Sequence, residues 1–437
     1  MAMSDLAIGF TGVVLLLLSI VAGAPIMLAL TAVGFIGLIL LSNFAGAISI
    51  LGTIYYSVVS SFHFSVIPMF LLMGFFAMRA GIGRDLFDAC TKWFGRLPGG
   101  LALASTGAAA AFGAASGSSV GTATLFTKLA LPEMIARGYD RGFAAASIAI
   151  AGTLAVLIPP SALMVVYGIL TNSSIGKLLI AGIVPGIIFT LIIVTTILII
   201  ATISPQKAPA DDRRYSWGER LWSLRMVGPL VLVIAVMLGG LYGGVFTPTE
   251  AGGIGALVTF LMAVIRQRGL RGMALGRTLL DTVVLTSMIF AIIIGGLLFA
   301  RFLALSGVSG AIKTLLVDGG LAVWVVVAMV TVIYLVLGML MDAPSLLAIS
   351  LPITHPVMMG LGFDPLWFGV YVIVLAEIGA ITPPVGINCF VVKGAAGNLV
   401  TLEEIFRALT PFILAAFLML AIMLMFPQVA LYLPGLM

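Results

Sequence analysis

Of 437 residues only 8% are Asp, Glu, Lys or Arg, while 62% are hydrophobic. A soluble domain carries about 25% charged residues, and a mean hydropathy of +1.27 leaves too little polar surface to coat a water-exposed fold. This excludes a cytosolic enzyme, a disordered chain and a nucleic-acid binder, because the net charge of +5 is spread over short loops. What remains is an all-α polytopic membrane protein in a lipid bilayer. Several runs of about 20 apolar residues each suffice to span a bilayer core, and the period-two alternation of barrel strands is missing. Cys90 and Cys389 form no CxxC and do not report a redox compartment. Met1 to Asp5 lacks a basic region and no small-residue cleavage site follows, so the first apolar run reads as a retained span.

In chain order the pattern predicts spans at about 6–22, 26–41 and 64–80, then an amphipathic stretch over Gly81–Arg96. A Gly/Ala/Ser-rich pair of half-length helices follows over about 98–136. A span over about 141–169 is broken at Pro159-Pro160, and another covers about 176–203. After the polar segment Ser204–Arg225 the plan returns: 226–244, 249–265, 278–303, a half-helix pair at 320–360, a broken span at 365–392, and 403–430. The stretch 46–60 reads as interfacial, with the Arg-rich linker Arg266–Arg277 as its counterpart.

The return is an internal repeat. A shift of 224 places Gly138-Tyr139-Asp140 on Gly362-Phe363-Asp364, Pro132 on Pro356, and Pro159-Pro160 on Pro383-Pro384. Glycine and proline set backbone geometry, so their coincidence predicts two copies, residues 1–203 and 226–437, joined by a cytoplasmic linker at 204–225. Each copy has five spans and one re-entrant hairpin. An odd number of spans inverts the second copy relative to the first. With both termini outside, only Lys177, Arg301 and Lys313 of the 21 basic residues fall on the outer side, and Lys128 lies within a hairpin. That asymmetry satisfies the positive-inside rule. Inverted repeats with interrupted helices are the architecture of secondary transporters, whose sites lie where helices break.

The first hairpin turns at Ala115-Ser116-Gly117-Ser118-Ser119 and the second at Gly338-Met339-Leu340-Met341-Asp342-Ala343-Pro344. The facing breaks are Ile158-Pro159-Pro160-Ser161 and Ile381-Thr382-Pro383-Pro384. A Pro pair removes two backbone donors and frees carbonyls before it. Freed carbonyls and serine hydroxyls are oxygen ligands for a hard cation. The bland alternative, in which Pro only kinks and small residues only pack closely, explains one such motif better than four placed symmetrically.

At these residues the chain resembles a family. ASGSSVGTAT, LIPPS, TPTEAG, GMLMDAPS, PITHP and ITPPVGIN are similar, as an ordered set over essentially the whole chain, to the large membrane subunit of tripartite ATP-independent periplasmic (TRAP) transporters. The resemblance implies an elevator-type ion transporter fold in a bacterial inner membrane. It implies import of an organic acid, typically a carboxylate, driven by sodium. A periplasmic substrate-binding protein and a small four-span membrane subunit would be its partners. Gly121 and Gly252-Gly253 stand where the family often has Ala, small for small. Carried over residue by residue, one sodium site would use Ser116 and Ser119 with carbonyls near Ala155, Ile158 and Pro160. The other would use Gly338 and Asp342 with carbonyls near Gly379, Thr382 and Pro384. Ser118, Thr122, Ser161 and Asn388 are the polar candidates for substrate. No basic residue sits at either tip, so half-helix N-termini and hydroxyls would hold the carboxylate. No cofactor and no metal other than sodium is expected.

Some charged residues carry two readings. Asp342 is a ligand or a helix cap. Glu377, six before the second Pro pair, needs a partner or a proton, because a charge at midplane costs about 2.5–3.5 kcal/mol; coupling and structural pairing are both open. Thr247-Pro248-Thr249-Glu250 fits a capping box. Gly117-Ser118-Ser119-Val120-Gly121 matches GxSxG, and a Ser119–His355 hydrolase is the rival from another class. That motif needs a strand-to-helix elbow this chain cannot build, so it is not read as an enzyme. A sodium/carboxylate symporter without a binding protein is the nearer alternative, and a passive channel the more distant one.

Overall fold

The computed structural model describes residues 4–210, 213–266 and 272–437, and every regular element among them is helical. Arg268 and Arg271, counted above toward the cytoplasmic charge, lie outside the described residues. The chain opens with α1 (Asp5–Val21), α2 (Ile26–Leu41) and α3 (Phe44–Ser60), followed by α4 (Val66–Arg79). The amphipathic stretch is α5 (Ile82–Phe94), which buries Ile82, Leu86 and Phe87 and exposes Arg84 and Asp88. The first hairpin is α6 (Gly100–Ser116) and α7 (Ser119–Ala136), turning through Gly117. The first broken helix is α8 (Arg141–Leu157) with α9 (Ala162–Thr171), bent by 48°. α10 (Ile175–Ala181) and α11 (Ile183–Ile203) complete this half.

The second half runs α12 (Trp217–Tyr242), α13 (Pro248–Arg266), α14 (Gly272–Leu305) and α15 (Val308–Lys313). Its hairpin is α16 (Val323–Leu340) and α17 (Ala343–Gly360), and its broken helix is α18 (Pro365–Gly379) with α19 (Ile387–Ala396). α20 (Leu402–Met425) and α21 (Gln428–Leu431) end the chain. Polar caps begin the helices where the sequence places them. Thr247 and Glu250 form the expected reciprocal pair, with the Thr247 N–H donating to Glu250 Oε2 at 2.8 Å and the Glu250 N–H to Thr247 Oγ1 at 3.3 Å. Asp140 caps α8 and Asp364 caps α18.

Among the described residues six helices are long and apolar enough to cross a membrane, or up to eight if bent pairs count as single spans. The ten-span reading leaves out one of these, the hairpin arm α16, and enlists α1, α2 and the α18–α19 pair, whose members are shorter apolar helices. Two lengths differ from expectation. The arms of the first hairpin have 17 and 18 residues, about 26 Å at 1.5 Å per residue, and so exceed half a bilayer. α14 has 34 residues, about 51 Å, and starts before the expected 278. Residues 272–277, expected as linker, are its first turns.

The helix ends recur at one spacing. Displaced by 224, Ser119–Ala136 lands on Ala343–Gly360, and Arg141 lands on Pro365. The same displacement carries α3 and α4 together into α14. A break at Ser61 in the first half is a continuous helix in the second. Packing is reciprocal as well. α2 lies on α14 while α13 lies on α4, and α9 lies on α17 while α19 lies on α7. Each hairpin thus packs on the first part of its own half's broken helix and is met by the second part of the other half's.

Candidate functional site

Close approach of backbones brings hairpins and breaks together. Gly117 has φ +57, and a Cβ there would sit 3.0 Å from the Pro160 carbonyl oxygen. Only glycine turns the tip against the break this tightly. Gly113 lies directly over Ala155, where an added Cβ would come within 2.3 Å of the Ala155 Cα. The second half repeats the device with Gly338 against Gly379. Ser116, Ala155 and Pro160 are therefore neighbours through glycine contacts, and so are Gly338 and Gly379.

The hydroxyls have distinct partners. Ser116 Oγ and Thr122 Oγ1 bond each other at 2.9 Å. Ser118 caps α7, accepting from the Gly121 N–H at 3.2 Å. Ser161 is buried and caps α9, accepting from the Met164 N–H at 3.3 Å. Ser119 Oγ crosses to the other half and donates to Glu377 Oε1 at 3.1 Å. Asp342 caps α17, and Ser345 Oγ donates to its Oδ1 at 2.8 Å. Thr382 Oγ1 donates to the Ile378 carbonyl at 2.6 Å.

The carbonyls freed before the second Pro pair are not idle. That of Gly379 accepts the Thr382 N–H at 3.0 Å, and that of Ala380 accepts the Asn388 N–H at 2.9 Å. A carbonyl oxygen has two lone pairs, so each keeps one for another ligand. Both Pro-Pro peptide bonds are cis. Pro159 and Pro160 are buried, with Ile158 at the C-cap of α8, whereas Pro383 and Pro384 are exposed.

One cavity of about 340 Å³ lies among these elements. Four helix starts line it: Ser119 of α7, Ala162 of α9, Ala343 of α17 and Ile387 of α19. Ser118, Asp342, Glu377 and Asn388 add polar side chains, and among the described residues no Lys or Arg lines it. Thr122 and Ser161, expected as substrate contacts, do not line it. Its far wall is Leu71 of α4 with Leu285, Met288, Ile289 and Ile292 of α14. Sequence reasoning missed this wall, because apolar residues within apolar spans carry no local signal. On the opposite side, Glu377 Oε2 and Asn388 Nδ2 are buried and make no well-formed hydrogen bond, the Asn388 amide lying near enough to interact with the Glu377 carboxyl group.

A multi-span helical protein whose two hairpins and two broken helices surround one cavity is built as a secondary transporter. Comparison with known proteins then sharpens the class. Residues 13–429 match the family model described as tripartite ATP-independent periplasmic transporter, DctM component. The chain belongs to this family. It is 38% identical over 369 residues to the C4-dicarboxylate TRAP transporter large permease protein DctM of Pseudomonas aeruginosa, covering 84% of this chain and 85% of that one. The Vibrio cholerae protein of the same description is 32% identical over 436 residues, 95% of each chain. Among solved structures, the YdaH transporter of Alcanivorax borkumensis has a similar fold, with a TM-score of 0.62 at 15% identity over 89% of this chain and 91% of that one.

Proposed function

We propose that the protein imports a carboxylate, of the C4-dicarboxylate class named for its relatives, across a bacterial inner membrane on a sodium gradient. The single observation that carries this reading is the convergence of four helix N-termini on a cavity that no basic side chain among the described residues lines. Amide-bearing helix starts are anion sites. The same cavity holds the Asp342 and Glu377 carboxyl groups, so an anionic substrate needs cations beside it. Serine hydroxyls, carboxylates and break carbonyls make an all-oxygen donor set suited to a hard cation such as sodium. Ser116 and Ser119 with carbonyls at Ala155, Ile158 and Pro160 form the first sodium site. Gly338 and Asp342 with Gly379, Thr382 and Pro384 form the second.

The recurrence at 224 and the reciprocal packing support two copies of opposite orientation, with N- and C-termini periplasmic. Hairpins clasped by broken helices form a body that slides past the α2–α14 and α4–α13 pairs, an elevator motion. A separate small four-span subunit and a periplasmic binding protein that delivers the substrate complete the assembly. The test is uptake of labelled succinate into proteoliposomes holding the large and small subunits. Uptake should need an inward sodium gradient and a loaded binding protein, and equal uptake in sodium-free buffer would refute the coupling.

A further inference from the structure

Glu377 is the charged side chain that the two ligand sets above leave unassigned. It lies on α18 at 1% exposure, lines the cavity, and uses one oxygen to accept from Ser119, while the other makes no well-formed hydrogen bond and has only the neutral Asn388 amide near the carboxyl group. Among the described residues no Lys or Arg pairs with it. Charged groups on the elements packed around α18 are occupied or remote. Glu403 and Arg407 pair with each other, and Glu404 serves the cap of α20. Arg141 opens α8, at the other end of that helix from the break, and Lys177 is on α10. His355, Tyr167 and Tyr334 ring Phe368, nine residues along the helix and so about 13 Å away. Across the cavity stands Asp342, another carboxyl group. A buried carboxylate in that setting has no counter-charge from the protein itself.

The donor geometry tells where the counter-charge sits. Ser119 has a single hydroxyl proton and gives it to Glu377. Both its lone pairs are therefore turned away from that bond and left free to ligate. Resting on the sodium reading above, we infer that Glu377 supplies a carboxylate oxygen to the cation held by Ser119, so that one ion ties the tip of the first hairpin to the broken helix of the second half. The first sodium site is then complete only when both halves close on it. The Asn388 amide lies beside the same carboxyl group and lines the cavity, placed to turn from that carboxyl to the anion next to the ion.

The purified full-length chain in detergent provides the test, with sodium titrated against choline at constant ionic strength. Sodium binding is read by calorimetry and by the sodium-induced rise in melting temperature, for wild type, Glu377→Gln, Glu377→Asp and Ser119→Ala. Glu377→Gln should weaken one class of sodium binding about 10- to 100-fold, and Glu377→Asp should restore part of it. Without sodium, Glu377→Gln should melt at or above the wild-type temperature, because it removes an uncompensated buried charge. A purely structural hydrogen-bonding role gives the opposite signs: lower stability without sodium and unchanged sodium affinity. That result overturns the assignment while leaving sodium coupling intact. A wild-type protein that binds no sodium at all removes the coupling reading itself.

Discussion

A Cβ built on Gly379 would stand 2.7 Å from the Cα of Gly338. The arm of the second hairpin and the end of α18 therefore touch backbone to backbone, with no room for a methyl group. The approach sets the distance between the hairpin tip and the break, and so the geometry of the site.

Gly379→Ala should destabilise the protein by about 1–3 kcal/mol, the usual cost of overpacking. It should also disturb sodium binding, because the tip must move. Gly253→Ala is the control. Nothing lies within 4 Å of a Cβ there, and the helix interior should gain up to about 1 kcal/mol from the better helix former. Melting curves of both variants with and without sodium check the contrast.

Asp342 admits a test that separates cap from ligand. Its side chain accepts from the Ser345 N–H at 3.4 Å and from the Ser345 hydroxyl at 2.8 Å. Asparagine caps about as well as aspartate, whereas alanine costs about 1 kcal/mol. If Asp342 ligates sodium, Asp342→Asn and Asp342→Ala should both lose sodium affinity, while only Asp342→Ala loses stability in its absence. Normal sodium titrations for Asp342→Asn would reduce the residue to a cap.

Orientation is checked by labelling from one side at a time. With Cys90 and Cys389 replaced, a cysteine at the exposed Gln206 should react with a membrane-impermeant maleimide only from the cytoplasm. One at Gly435, where the chain leaves open space, should react only from outside. Reaction of both from one side would discard the inverted arrangement.

Much of this architecture was legible because glycine, proline and cap residues act locally. Pro159-Pro160, Pro383-Pro384 and the repeated Gly138-Tyr139-Asp140 and Gly362-Phe363-Asp364 marked breaks and starts that the helices respect. The joining of the α3 and α4 counterparts into α14 was not legible, because no residue at 272–290 carries a breaker strong enough to signal either outcome. The pairing of Ser119 with Glu377 spans 258 positions. No periodicity reports contacts across such a distance, so the sequence marked Glu377 as expensive without naming its neighbour. Thr122 and Ser161, expected as substrate contacts by type and placement, here use their hydroxyls to bond Ser116 and the Met164 N–H.

That last division yields a prediction about substrate. Of the four polar candidates, Ser118 and Asn388 line the cavity. The Ser118 hydroxyl already accepts a backbone N–H, whereas the Asn388 amide donor, buried at 1% exposure, makes no well-formed hydrogen bond and has only the Glu377 carboxyl nearby. A buried donor left without a partner costs about 1–3 kcal/mol, which a carboxylate oxygen arriving at the start of α19 would relieve. Asn388→Ala should therefore weaken succinate binding by roughly 10- to 100-fold, at about 1.4 kcal/mol per factor of ten. Ser161→Ala removes the cap of α9 instead. It should lower stability by about 1 kcal/mol while leaving succinate affinity within about twofold once the protein is folded. Equilibrium binding of labelled succinate at saturating sodium, alongside melting temperatures, distinguishes the two. Equal loss of affinity in both variants would mean that Asn388 acts through the fold rather than on the anion.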